Sequence, residues 1–143
     1  MPLCPYSIEY KDGSILLNTI IQKHHCNILG ICHGGLLTAL ADTCMYLMAC
    51  HKVDVKRALT VDIIYKFYAV VKPDDYITLV SKVDYILDGR TYVLCSIIRD
   101  NNIVFLEGLN FNRSVQYQSY GMNTLTKTNH DVCLSLYIMF SII

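Results

Sequence analysis

Residues 27–45 read NILGICHGGLLTALADTCM, placing the adjacent glycines Gly34 and Gly35 at the head of an apolar run with one carboxylate, Asp42, inside it. The first turn of a helix offers backbone N–H groups without intrahelical acceptors, at the positive end of the helix dipole. Glycine there lets a ligand oxygen come close to the backbone. The pair therefore suits an oxyanion site for a carbonyl that gains negative charge in its transition state. A tight bend from loop to helix, or close packing, would use the same two residues. Asp42 also reads two ways, as an acid held by a structural hydrogen bond or as a catalytic carboxylate; buried Asp is uncommon without a partner.

Spacing limits how these groups can combine. Asp42 follows Gly34 by eight residues, which on one helix is roughly 12 Å along the axis and about 80° around it. One carbonyl cannot touch both. Either the acid and the glycines are unrelated, or a second copy of the chain supplies one of them. A two-fold pair with antiparallel helices would bring each Asp42 to the start of the other helix.

Three more residues belong to this neighbourhood. Asn27 is a short amide before the helix, suited to a turn or to holding a water or carbonyl. His33 directly precedes the glycines and suits a side chain that fixes loop shape. Thr60 lies on a strand; alternation puts Leu59, Val61, Ile63, Tyr65 and Phe67 on one apolar face and Thr60 on the other, away from the core. An ordinary β-favouring threonine would look the same.

The elements that must hold these residues follow from pattern. YSIEYKDGSILLNTIIQ reads as two strands joined at Lys11-Asp12-Gly13, since Asp-Gly between β-favouring runs signals a hairpin. Residues 34 to about 50 lack proline and interior glycine beyond the opening pair and are rich in Leu, Ala and Met, which predicts a helix. It is apolar nearly all round, so other elements must enclose it. ALTVDIIYKFYAVV, YITLVSKVDYIL, RTYVLCSIIR and IVFLEGLNFN then follow with short turns, as an antiparallel meander. An apolar helix that needs wrapping and a sheet with an apolar face satisfy each other, so the expected class is α+β, one antiparallel sheet curled around one central helix.

Bulk composition narrows the partners. The chain has 143 residues, of which 53% are hydrophobic, enough for one domain with a real core. Twelve basic residues balance twelve acidic ones, so no global field draws nucleic acid or an anionic membrane. The opening MPLCPYSIEYKDG lacks a basic region followed by an apolar one, and no apolar run reaches the roughly 18 residues of a spanning helix. The seven cysteines form no CxxC pair and read as free thiols of a reducing, intracellular compartment, cytoplasmic or mitochondrial. Cys32-His33 is a poor nucleophile and base, because sequence neighbours point apart and nothing orients them. The Cys and His spacings do not match zinc sites, so no metal is expected. From Ser114 the texture becomes polar and then ends in VCLSLYIMFSII, which suits an added strand, a docked helix or an exposed tail.

HCNILGICHGGLLTALADT resembles the signature of hotdog-fold acyl-CoA thioesterases of the phenylacetic-acid-degradation type, most similar to the eukaryotic acyl-coenzyme A thioesterase 13 group. Asn27, Gly30, His33, Gly34, Gly35 and Asp42 fit that signature without a gap. LTVDIIYKFYAVVKPDD is similar to the family's Ser/Thr-Val-Asp strand, with Thr60 at the hydroxyl position. DGRTYVLCSIIRDNNIVFLEGLNF resembles the two strands that close the sheet. The resemblance covers about residues 6–113 and implies a hotdog domain over 1–113, with 114–143 as an atypical tail; a helical segment before the first strand is also missing.

It further implies hydrolysis of acyl-CoA thioesters, with coenzyme A as part of the substrate and no separate cofactor, in a homodimer or a tetramer of two dimers. One protomer would give Asn27, His33 and Gly34, with Gly35 beside the substrate, and the other Asp42 and Thr60. Gly34 N–H would polarise the carbonyl, and Asp42 would act as general base or nucleophile. Thr60 and Asn27 would orient carboxylate and water, and His33 would fix the loop. Lys66, Lys72, Lys82 and Arg90 are the candidates for the coenzyme A phosphates. The competing reading is a non-catalytic hotdog module that binds acyl-CoA or serves dimerisation. A hydratase or dehydratase ranks behind both, because the motif's one histidine abuts the glycines.

Overall fold

The computed structural model describes residues 4–54, 57–99 and 102–114; the expected tail, 114–143, lies outside them except for Ser114, which ends the last strand. Strands β1 (Ser7–Lys11) and β2 (Ser14–Ile20) form the expected hairpin. Its turn residues Asp12 and Gly13 both have positive φ, 50° and 76°, the conformation that Asp-Gly supplies to a two-residue turn.

Helix α1 runs Gly34–Val53. Leu37, Leu40, Ala41, Cys44, Met45, Met48 and Ala49 are its buried side, a spacing of three and four that makes one continuous stripe. The stripe packs on inward residues of the sheet, among them Leu17 of β2, Ile77 and Leu79 of β4 (Tyr76–Leu87), and Val93, Cys95 and Ile97 of β5 (Arg90–Arg99). Polar contacts are buried with them, among them Ser81 Oγ donating to the Cys44 carbonyl at 2.9 Å. The helix stops at Asp54, whose left-handed φ of 51° cannot continue it.

The remaining strands are β3 (Ala58–Ile64) and β6 (Asn102–Ser114). All neighbours are antiparallel, in the order β1-β2-β4-β5-β6-β3, and the sheet curves around α1 as expected. The expected meander needs a correction. It comprises β4, β5 and β6 only, whereas β3 crosses to the far edge and pairs with β6. Strand β3 also ends at Ile64, short of the apolar run that suggested it. Backbone groups beyond that point are used elsewhere: Arg99 Nη1 donates to the Val70 carbonyl at 3.0 Å, and Cys32 N–H to the Val71 carbonyl at 2.7 Å. The connection over 65–75 therefore braces the loop that leads into α1.

A bulge in β3 overturns the expected facing of its side chains. Thr60 pairs with Asn112 and Ile63 with Asn110, so three steps on β3 match two on β6. An extra residue reverses the alternation. Ala58 and Thr60 turn toward the helix before the bulge, and Ile63 does so after it, while Leu59 is left 54% exposed. Thr60 thus faces α1, the opposite of what strict alternation predicts.

Candidate active site

The loop into α1 is built from short-range hydrogen bonds. Asn27 N–H donates to the Ile31 carbonyl at 2.9 Å, and Gly30 N–H to the Asn27 carbonyl at 3.0 Å. The Asn27 side-chain oxygen accepts from Leu29 N–H at 2.9 Å, an Asx turn. Gly30 sits at φ +73°, which explains a glycine at that point. His33 N–H then reaches the carbonyl of the buried His25 at 2.9 Å, docking the loop on the domain. Asn27 therefore spends its side-chain oxygen on the loop.

At the helix start the first N–H groups are nearly all used. His33 is the N-cap, and its Nδ1 accepts from Gly35 N–H at 3.0 Å. An accepting Nδ1 carries no proton, so the neutral ring keeps its hydrogen on Nε2. Leu36 and Leu37 donate to the His33 carbonyl at 2.9 and 3.3 Å. Gly34 N–H has no acceptor among the described residues.

The two glycines differ in what demands them. A methyl group on Gly35 would lie 3.1 Å from His33 Nδ1, too close for the cap to stay as it is. On Gly34 it would meet only the Phe67 ring, at an ordinary 3.5 Å. Packing within the chain accounts for Gly35 and not for Gly34.

Asp42 lies two turns further along the same helix and is half-buried. Thr60 Oγ1 donates to its Oδ1 at 2.8 Å, fixing the carboxylate against β3. The pairing of Thr60 with Asn112 on β6, just ahead of the bulge, sets the face on which the hydroxyl stands. Tyr65, beyond the end of β3, donates its hydroxyl to the Thr38 carbonyl at 3.1 Å. Burial, followed by the nearby Asp42 charge, pushes its phenol well above the ordinary range, so it stays a donor at neutral pH.

Thr60 and Asp42 are thus brought together, as are His33, Gly34 and Gly35, while the eight-residue interval on one straight helix keeps the two groups apart. Lys66 and Lys72 are exposed on the connection that carries Phe67. Lys82 is exposed between Ser81 and Val83; Ser81 points into the core, so Lys82 stands on the outer face. Arg90 is at the β4–β5 turn, and the register Arg90–Arg113–Leu59 sets it beside the start of β3, the other end from Phe67 and Gly34.

Sequence reasoning missed that Tyr65 and Phe67 lie beside these groups. For Tyr65 the signal was a hydroxyl on an otherwise apolar face, since a buried Tyr seeks a partner for its O–H; Phe67 carried none. Burial, with smaller effects of Cys26 and Cys4, pushes the Cys32 thiol up to about 12, too high for a nucleophile that must turn over substrate at neutral pH.

Solved structures share this fold. A "Hypothetical Thioesterase Protein" from Streptococcus pneumoniae TIGR4, with coenzyme A, matches with a TM-score of 0.70 at 19% identity, over 80% of this chain and 92% of that one. The PaaI protein of the E. coli phenylacetic acid degradation operon matches at 0.68 and 19%, over 76% and 82%. The smu.793 protein of Streptococcus mutans UA159, bound to acetyl CoA, matches at 0.71 and 12%, over 82% and 94%. At such identities the likeness concerns the fold, the hotdog. In sequence, an Archaeoglobus fulgidus protein named "Putative esterase" is 31% identical over 58 residues, 41% of this chain and 38% of that protein, so the chain spans well under half of that relative. Residues 29–105, more than half of the chain and including the helix with its glycines and Asp42, match the Thioesterase superfamily. The chain belongs to that superfamily.

Proposed function

We propose that the protein hydrolyses acyl-CoA thioesters to a free acid and coenzyme A, at a site shared by two protomers of a homodimer. The observation that carries this reading is Gly34, whose N–H is left over when its neighbours are spent, at a glycine that packing does not require. That donor from one protomer would hold the thioester carbonyl oxygen as it becomes an oxyanion. Asp42 of the second protomer, held by Thr60, would take a proton from water as its oxygen bonds to the carbonyl carbon, or would attack that carbon itself to give an acyl anhydride that a water later cleaves to the free acid, restoring Asp42. The C–S bond then breaks, and the coenzyme A thiolate leaves and is protonated.

A second copy is supported by two features besides the helix spacing. The outer edge of β3 has no strand beside it among the described residues. Leu59, Ile64 and Phe67 are each half-exposed along or just past it, an apolar surface of the kind that closes between subunits. Coenzyme A as the thiol part is supported by the bound ligands of two fold neighbours. Lys66 and Lys72, exposed on the connection that carries Phe67, are the candidates for its phosphates at the same protomer's Gly34, with Lys82 and Arg90 as candidates at a neighbouring copy's. The resemblance to the acyl-coenzyme A thioesterase 13 group belongs to this proposal as well, as does a tetramer.

Thiol release from a panel of short, long and aromatic acyl-CoAs tests the reading. Turnover of at least one by wild type, with a loss of roughly 100-fold or more in kcat for a still-dimeric Asp42→Ala, is the expected result. A folded dimer that binds acyl-CoA and hydrolyses none would make this a non-catalytic binding module.

A further inference from the structure

Cys26 and Cys32 flank the loop that carries Asn27, and they pair directly across an isolated antiparallel bridge. The two hydrogen bonds of that bridge, Asn27 N–H to Ile31 O and His33 N–H to His25 O, both 2.9 Å, lie outside the pair. The pair is therefore of the non-hydrogen-bonded type, in which opposed Cα atoms stand about 4.5 Å apart with side chains on one face. Disulfides accept Cα separations of about 4.4–6.8 Å. Both thiols are free, and each makes only a weak hydrogen bond, Cys26 Sγ to Gln22 O at 3.7 Å and Cys32 Sγ to His33 O at 3.8 Å. Cys26 is half-buried, whereas Cys32 is 5% exposed. A small oxidant therefore meets Cys26 first.

We propose that Cys26 and Cys32 form a reversible disulfide with a low-molecular-weight disulfide as oxidant, a covalent staple across the base of the loop that carries Asn27 and leads to His33 and Gly34. Cys26 thiolate attacks one sulfur of the small disulfide, whose S–S bond breaks; one thiol leaves, and a mixed disulfide stands on Cys26. Cys32 then attacks the Cys26 sulfur, its proton passing to the second departing thiolate. Two protein thiols are oxidised by two electrons, and one small disulfide is reduced to two thiols. The half-exposed partner opens the reaction and the buried one completes it, so closure is the slow step. In a reducing compartment such a bond would be conditional and not permanent.

The test uses the full chain, reduced, then incubated with glutathione disulfide, blocked by alkylation and mapped by mass spectrometry. The expected result is loss of alkylation at Cys26 and Cys32 together, a peptide lighter by two hydrogens, and full recovery of both thiols with dithiothreitol. Cys32→Ser should stop at a stable glutathione adduct on Cys26. Full alkylation of both residues after oxidation, or Cys32 joined to the neighbouring Cys4, would overturn the proposal. None of these readouts depends on thioester turnover.

Discussion

At the start of α1 the candidate groups are backbone N–H groups, held by contacts among residues 25–37 that are close in sequence. At its middle, Asp42 depends on Thr60, eighteen residues on, and stands beside Tyr65, which reaches the same helix from twenty-seven residues beyond Thr38. The first half is a local device and survives as long as its loop does. The second is assembled by the fold, through a bulge at the sheet edge, and is lost if the strand slips by one residue. Helix geometry then keeps the halves of one chain apart, which is why a second copy enters the account.

Removing each half's reacting group should have the largest effects. Asp42→Ala should lower kcat roughly 100-fold or more, with dimerisation unchanged by sedimentation. Gly34→Pro should cost a similar factor, about 100-fold, because proline deletes the N–H yet is favoured at the first helical position. His33 already has the extended φ −64°, ψ 125° that a residue before proline adopts. Circular dichroism should show the helix retained.

Smaller effects separate the support of each half. Gly35→Ala should press on the His33 ring and weaken the cap, costing about 1 kcal/mol in urea denaturation. Gly34→Ala has ordinary room beside Phe67 and should leave the midpoint nearly unchanged. Equal destabilisation by the two alanines would erase the distinction between a glycine kept for packing and one kept for a ligand. Thr60→Val should lower kcat about 10-fold with a stability loss near 1 kcal/mol, since the carboxylate keeps its shape neighbour and loses its donor.

The smallest expected effect lies in the brace over 65–75. Burial raises the Asp75 pKa, but Lys72 N–H and the Arg99 guanidinium, 2.7 Å away, outweigh it and hold the carboxyl below the ordinary range. A folded pKa below the unfolded one stabilises above the unfolded value, about 3.9, and the gain fades as pH falls through the folded one. The pair is partly solvated, so a few tenths of a kcal/mol, on the order of 0.5, is expected. Asp75→Asn should therefore be less stable than wild type at pH 7, with the gap closing in strong acid.

What could be read from sequence divides along the same line. The helix, the first hairpin and the glycine start are local: Asp12-Gly13 writes its own turn, and His33-Gly34-Gly35 its own cap. Eight residues of helix and a fixed rise also show that Gly34 and Asp42 of one chain cannot meet on one carbonyl. The facing of Thr60 was not legible, because an extra residue between Thr60 and Ile63 leaves the composition of β3 unchanged and is set by its pairing with β6. The edge position of β3 was hidden for a related reason. A run such as IIYKFYAVV is strand-like by pattern, and only the acceptance of Cys32 N–H by Val71 and of the Arg99 side chain by Val70 takes its second half out of the sheet.

The central claim is that each active site takes Gly34 from one protomer and Asp42 from the other, and mixing two inactive variants tests it most directly. Gly34→Pro and Asp42→Ala chains, co-expressed so that they pair at random, should give one intact site in each mixed dimer and recover about a quarter of wild-type activity. Activity that stays at the level of the two parents, with mixed dimers shown to be present, would contradict it.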